Sequence, residues 1–337
     1  MPGVLEVHTL QDGAQPAEAT AERLVDWLGA ASRSLDLALY DVRLPGPVGD
    51  AVADALRAAM RRGVRVRLAF NDESPGEAPR PFGPPPPSTQ PHILEELGAE
   101  LRPIPGWRDL MHHKYAVRDG EAVWTGSTNW TLDSWTRQEN VIATLEHHGA
   151  AFARDFEQIW STGRIGNSGD FDAAGVWFTP GRGRELSHRI AERIGSARRR
   201  VRIATPLVTA GPILAAINEV LAEGRVDIAG VCDSTQVRQV FHQWARNPAS
   251  QWKAPLLTRA LDAFTGKQST PYAPGAVHDY MHAKVTVADD VVFLGSFNLS
   301  RSGEENAENV LEIADPELAE RMAAWIDGLR ARYPGGI

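Results

Sequence analysis

Two stretches of the chain carry residues whose types and spacing suit one kind of chemistry. "MHHKYAVRDGEAVWTGSTNW" (111–130) holds His112 and Lys114, and "MHAKVTVADDVVFLGSFNLS" (281–300) holds His282 and Lys284. Both read as strands, on which side chains two apart share a face. His112 then faces with Lys114 and His282 with Lys284, while His113 is the counterpart of Ala283 on the packed face behind. After turns at "RDGEAV" and "ADDVV", a second strand returns and brings Gly126, Ser127 and Asn129, or Gly295, Ser296 and Asn298, beside each pair. Lysine, serine and asparagine donate hydrogen bonds to an anion, and glycine lets a group approach the backbone. Imidazole is a nucleophile when neutral and an acid when protonated, both near neutral pH. Each half thus sets an imidazole beside a small group of donors that can hold an anion and offset its charge.

The elements that position these residues also occur twice, in the same order. "SLDLALYDVR" (34–43) matches "RVRIATPLVT" (200–209), each an apolar run after a helical segment. "GDAVADALRAAMRRGVRVRLAFND" (49–72) matches "GPILAAINEVLAEGRVDIAGVCD" (211–233): a helix, a glycine stop at Gly63 or Gly224, and a strand ending in Asp. The two His–Lys stretches follow, and then "QENVIATLE" (138–146) and "AENVLEIAD" (307–315), each leading into a helix. The pattern predicts a duplicated α/β unit, with domains 1–165 and 166–337 joined near "STGRIGNSGDFDAAG" (161–175). "GEAPRPFGPPPPSTQP" (76–91) is too proline-rich for helix or central strand and reads as a surface excursion. Val237, Val240, Phe241 and Trp244 recur at helical spacing in the second repeat's own excursion, which signals packing.

Composition narrows the function classes. The 337 residues carry a formal charge of −8, whereas a generic nucleic-acid binder tends to a basic balance. The arginine runs "RRGVRVR" (61–67) and "ARRRVR" (197–202) sit at helix-to-strand junctions and read as solvated complements to helix C-termini. A single cysteine, Cys232, leaves no internal disulfide and no cysteine-based zinc cluster, and reads as buried. There is no signal-peptide pattern and no apolar run long enough to cross a bilayer, so the expected compartment is cytoplasmic. The chain has no G-x-x-x-x-G-K-[ST] loop, H-E-x-x-H helix or G-x-S-x-G elbow.

H-x-K-x4-D followed by G-S-x-N, present twice, resembles the phospholipase D superfamily, the "HKD" enzymes. The first copy has His112, Lys114 and Asp119, then Gly126, Ser127 and Asn129 after six residues. The second is one residue shorter between Asp289 and Gly295, which calls for a tighter turn, and Asp290 competes with Asp289 for the motif role. The family's downstream Glu-Asn matches Glu139-Asn140 and Glu308-Asn309. The resemblance implies two pseudo-symmetric repeats, each a mixed sheet flanked by helices, sharing one active site with no required metal or cofactor. It implies a covalent phosphohistidine on His112 with His282 as acid and base, and Lys114 and Lys284 on the phosphate. Glu139 and Glu308 are expected to orient the imidazoles. Gly126, Gly295, Ser127, Ser296, Asn129 and Asn298 are expected at the phosphate, with Asp119 and Asp289 structural at the hairpin turns.

The superfamily acts on phospholipids in some members and on nucleic acids in others. The acidic charge and the two copies in one chain lean toward phosphatidyl hydrolysis or transfer by a monomer, with peripheral membrane contact compatible. A DNA or RNA endonuclease is the alternative, another phosphodiester a further substrate class, and a non-catalytic phosphate-binding scaffold the last reading. Trp107, Trp130 and Trp135 flank the first motif; each reads first as packing, with a membrane interface or base stacking as further options.

Overall fold

In a computed structural model, the described residues are 5–72, 97–106, 109–166, 175–271, 273 and 276–337. The proline-rich segment 76–91, Trp107 and much of the 161–175 junction lie outside them.

The first repeat forms a seven-stranded sheet from β1 (Leu5–Leu10), β2 (Ser34–Leu39), β4 (Arg65–Asp72), β5 (Glu100–Pro105), β6 (Lys114–Arg118), β7 (Ala122–Gly126) and β9 (Asn140–Leu145). Two short strands, β3 (Val42–Arg43) and β8 (Trp130–Thr131), pair separately. The second repeat supplies β10 (Val176–Phe178), β11 (Arg200–Ala204), β12 (Asp227–Asp233), β13 (Phe264–Lys267), β14 (Val285–Ala288), β15 (Val291–Gly295) and β16 (Asn309–Ala314). The orders β1-β9-β7-β6-β2-β4-β5 and β10-β16-β15-β14-β11-β12-β13 correspond strand for strand. In each sheet the last two pairings are parallel and the other four antiparallel, giving two mixed sheets of the same topology.

The apolar pattern explains the layering. Central strands such as "SLDLAL" bury both faces. On one face the first sheet packs helices Ala17–Gly29 and Gly46–Arg61 through Leu24, Leu28, Val52 and Leu56. The second packs helices Gly183–Ser196 and Gly211–Glu223 through Leu186, Ile190, Ile213 and Ile217. The inner faces share one cluster that joins Ala38, Tyr115 and Val141 to Val231, Val285 and Leu311. Helices Ala150–Thr162 and Pro316–Arg332 contribute Phe152, Phe156, Met322 and Ile326 to it. The arginine runs are not wholly solvated: Arg67 and Arg202 are buried, Arg67 on Asp36 at 2.8 Å and Arg202 on Asp327 at 2.7 Å. Inward-facing strand positions require such partners.

The hairpins follow from their turn residues. Arg118 faces Ala122 across a three-residue loop, and Ala288 faces Val291 across two residues, so the second turn is the tighter. Asp119 (φ 58°) accepts from the backbone N–H of Ser32, Arg33 and Ser34 at 3.0, 2.6 and 2.9 Å. Asp289 (φ 51°) does the same for Arg198, Arg199 and Arg200, while Asp290 pairs with Arg199, so Asp289 is the structural counterpart of Asp119. Each aspartate ties its hairpin to the turn that starts β2 or β11. Burial alone would raise the Asp119 carboxyl, but those N–H donors hold it down at about 2.

Candidate active site

His112 and His282 lie just before β6 and β14, where the chain is still extended but has left its own sheet and bridges to the opposite repeat. Anchoring comes from the ends of β4 and β12, one strand beyond β2 and β11: Asn71 Oδ1 accepts from Met111 N at 2.9 Å, and Asp233 Oδ2 from Met281 N at 3.0 Å. Across the interface, His112 N donates to Ala307 O at 2.9 Å and His282 N to Glu139 O at 3.2 Å. Ala307 precedes Glu308, whereas Glu139 is itself the counterpart of Glu308. The two crossings therefore differ by one residue, and the site is less symmetric than the sequence.

That offset decides the partners of the imidazoles. His112 Nδ1 lies 2.8 Å from both carboxylate oxygens of Glu308, a residue of the other repeat. His282 Nδ1 instead meets Asn140 Oδ1 at 3.0 Å. Asn140 donates through Nδ2 to Ser134 O at 3.0 Å, so its oxygen is the acceptor and His282 carries its proton on Nδ1. The expectation that Glu139 orients an imidazole is corrected: its buried carboxylate is taken by Lys267 Nζ at 2.8 Å and by the Tyr333 hydroxyl. One position of register moves the carboxylate away from the ring and puts the amide in its place.

Both lysines are buried and reach back to the histidine carbonyls, Lys114 Nζ to His112 O at 2.8 Å and Lys284 Nζ to His282 O at 2.5 Å. Burial lowers Lys114 to about 7, against the pull of Glu308 and Asp41. Lys284 is pushed well below the usual lysine range by burial and by the charge of Lys114. Burial and then the two lysines push His112 and His282 well below the ordinary imidazole value, so both rings are neutral at pH 7. Burial raises the Glu308 carboxyl to about 7, opposed by Lys114. Two cations held this close in a dry site are relieved by an anion between them.

Asn129 and Asn298 line a pocket of about 210 Å³ together with His282 and Tyr40. Trp135 is buried and its indole N–H donates to Asn129 O at 2.9 Å, so this tryptophan braces a pocket residue rather than forming a rim. Trp130 is buried as well. The serines serve the scaffold: Ser127 Oγ donates to Asn140 Oδ1 at 2.7 Å, and Ser296 hydrogen-bonds Glu308. At Gly126 an added Cβ would lie 2.1 Å from Val141 O, and at Gly295 2.1 Å from Asn309 O. The close approach that these glycines permit is therefore that of the neighbouring strand. His113 points away, buried 3.3 Å from Asp155 and 3.4 Å from Asn309 Oδ1.

Sequence reasoning passed over "YDVR" (40–43). Tyr40 stands edge-on to His112 at 4.7 Å between ring centroids, with Lys114 Nζ 4.9 Å from its own ring. Asp41 is buried, held by Arg43 through two bonds of 2.9 Å, and burial raises its carboxyl. The available signal was positional: polar residues directly beyond the C-terminal end of a strand in a parallel pair, where α/β sheets open their crevices.

His112 and His282, each beside its own lysine, lie near enough to interact electrostatically, and each is braced by the other repeat, the arrangement expected of a phospholipase D-type site. The chain belongs to the family described as "Cardiolipin synthase, PLD-like domain", which matches residues 24–160 and 190–330. It is 30% identical over 165 residues to mitochondrial cardiolipin hydrolase of Xenopus tropicalis, covering 48% of this chain and 68% of that protein. The human mitochondrial cardiolipin hydrolase is 31% identical over 152 residues, covering 44% of this chain and 54% of that protein. The chain thus spans between about half and two thirds of the length of these relatives. Phosphatidylserine synthase of Haemophilus influenzae Rd KW20 superposes with a TM-score of 0.65 at 12% identity, over 98% of this chain and 88% of that one, a likeness of fold.

Proposed function

We propose that this protein cleaves, or transfers, the phosphatidyl group of phospholipids through a phosphohistidine on His112. The observation that carries this reading is the pairing of His112 with Glu308 from the opposite repeat, beside two buried lysines. The names of its relatives, cardiolipin hydrolases, support phospholipid as the substrate class.

The substrate phosphate lies between Lys114 and Lys284, with the amides of Asn129 and Asn298 as further donors. Because Glu308 takes the Nδ1 proton of His112, Nε2 presents its lone pair. It attacks phosphorus in line, and a P–N bond forms as the P–O bond to the headgroup alcohol breaks. The ring then bears positive charge, which the Glu308 carboxylate offsets. With the anionic phosphate bound between the lysines, His282 takes up a proton from solvent on Nε2, becoming an imidazolium, and delivers that proton to the departing oxygen. Its Nδ1 partner is a neutral amide, so the imidazolium is not held by a carboxylate and releases its proton more readily. In the second step His282 takes a proton from water or another alcohol, whose oxygen displaces Nε2 of His112.

The test is a parallel assay in EDTA, following headgroup release from mixed phospholipid vesicles and cleavage of single- and double-stranded DNA. Headgroup release that His112→Asn abolishes is the expected result. DNA cleavage without lipid turnover would overturn the reading in favour of a nuclease.

A further inference from the structure

The chain is acidic, with about one residue in eight Asp or Glu, yet the 28 residues 234–261 contain none, where three to four would fall at that density. They contain Arg238, Arg246, Lys253 and Arg259. The segment runs through helices Ser234–Trp244, Pro248–Gln251 and Ala254–Leu261. Its middle is turned to solvent: Ala245, Arg246, Pro248, Ala249, Trp252, Pro255 and Arg259 are all exposed. Trp252, 59% exposed, is the most exposed large apolar side chain among the described residues. Its indole N–H already donates to Ala249 O at 3.1 Å, so the ring offers the surroundings an apolar face. Lys253 Nζ stands 5.7 Å from that ring and 6.0 Å from Trp244.

Beneath this tip a groove of about 360 Å³ runs between Val240, Trp244, Lys253 and Arg301 to Gln236 and Asn298. Gln236 and Asn298 also line the pocket that holds His282. An apolar tip with cations around it, opening into a partly apolar groove that ends at the reacting groups, fits an anionic bilayer. The aromatic side chain enters the interface, the cations meet lipid phosphates, and one lipid reaches the site along the groove. A nucleic-acid track is the poorer fit, because Arg301 at the groove is paired with Glu305 at 3.0 Å and the tip is alanine and proline rather than a row of cations.

We infer that residues 244–259 form a docking surface for anionic phospholipid membranes, with Trp252 as the inserted side chain. The inference rests on phospholipid as the substrate, but its test does not depend on turnover. Full-length His112→Asn protein is sedimented with phosphatidylcholine vesicles, with the same vesicles containing phosphatidylglycerol, and titrated with a fluorescent single-stranded oligonucleotide. The expected result is binding only to the anionic vesicles, weakened by salt. It falls about tenfold in Trp252→Ala and again in Arg246→Glu, with the thermal midpoint of each variant unchanged. Equal binding by the variants, equal binding to both vesicle types, or preference for the oligonucleotide through the same two residues would overturn it. Vesicle binding without lipid turnover by the native enzyme would instead count against the proposed reaction and leave the docking surface standing.

Discussion

At the scale of single residues, the two imidazoles are unequal because their partners are. On the proposed mechanism Glu308→Gln removes the charge that offsets a phosphorylated His112, so kcat should fall about 100-fold with KM little changed. Asn140→Asp gives His282 a carboxylate and should move the alkaline limb of the kcat profile to higher pH. An unshifted limb would dissociate His282 from the proton transfer. Lys114 supplies a second prediction. Its folded value of about 7 lies below the ordinary lysine value, so the free enzyme carries that cation below pH 7 and loses it above. Sulfate, whose charge is constant over this range, should therefore inhibit less as pH rises past 7, and its binding should take up protons. Inhibition that does not vary with pH would show that the buried amine stays charged throughout.

At the scale of elements, the hairpins are set by the aspartates and the glycines. Asp119→Ala deprives three backbone N–H groups at the start of β2 of their acceptor and should cost about 2 kcal/mol of stability by denaturant titration. The carboxylate's folded value is depressed, so its contribution is present above the ordinary aspartate range and is lost as pH falls through about 2. Gly126→Ala drives a Cβ into Val141 O and should cost about 3 kcal/mol, a loss in unfolding free energy rather than in KM alone. These elements were legible because strand periodicity and turn chemistry are local: the His–Lys spacing, the shorter second turn and the duplicated order all stand in the sequence. The partner of each imidazole was not. It depends on a one-residue difference in how two distant strands cross, which no local pattern encodes. Trp135 shows the same limit: its burial follows the packing reading, but the hydrogen bond by which its indole braces Asn129 was not legible in the sequence.

At the scale of the molecule, the repeats are two halves of one site. Glu308 reaches His112, Asn140 reaches His282, and one apolar cluster runs through both sheets. Calorimetry should accordingly give a single unfolding transition, and two well-separated transitions would show that the halves fold independently. The central claim concerns where the covalent bond forms. Native enzyme and His282→Asn are mixed with phospholipid, quenched in alkali, digested and mapped by mass spectrometry. A phosphatidyl adduct on His112 that accumulates in His282→Asn is the predicted result. An adduct on His282, or steady turnover with no adduct on either histidine, would contradict it.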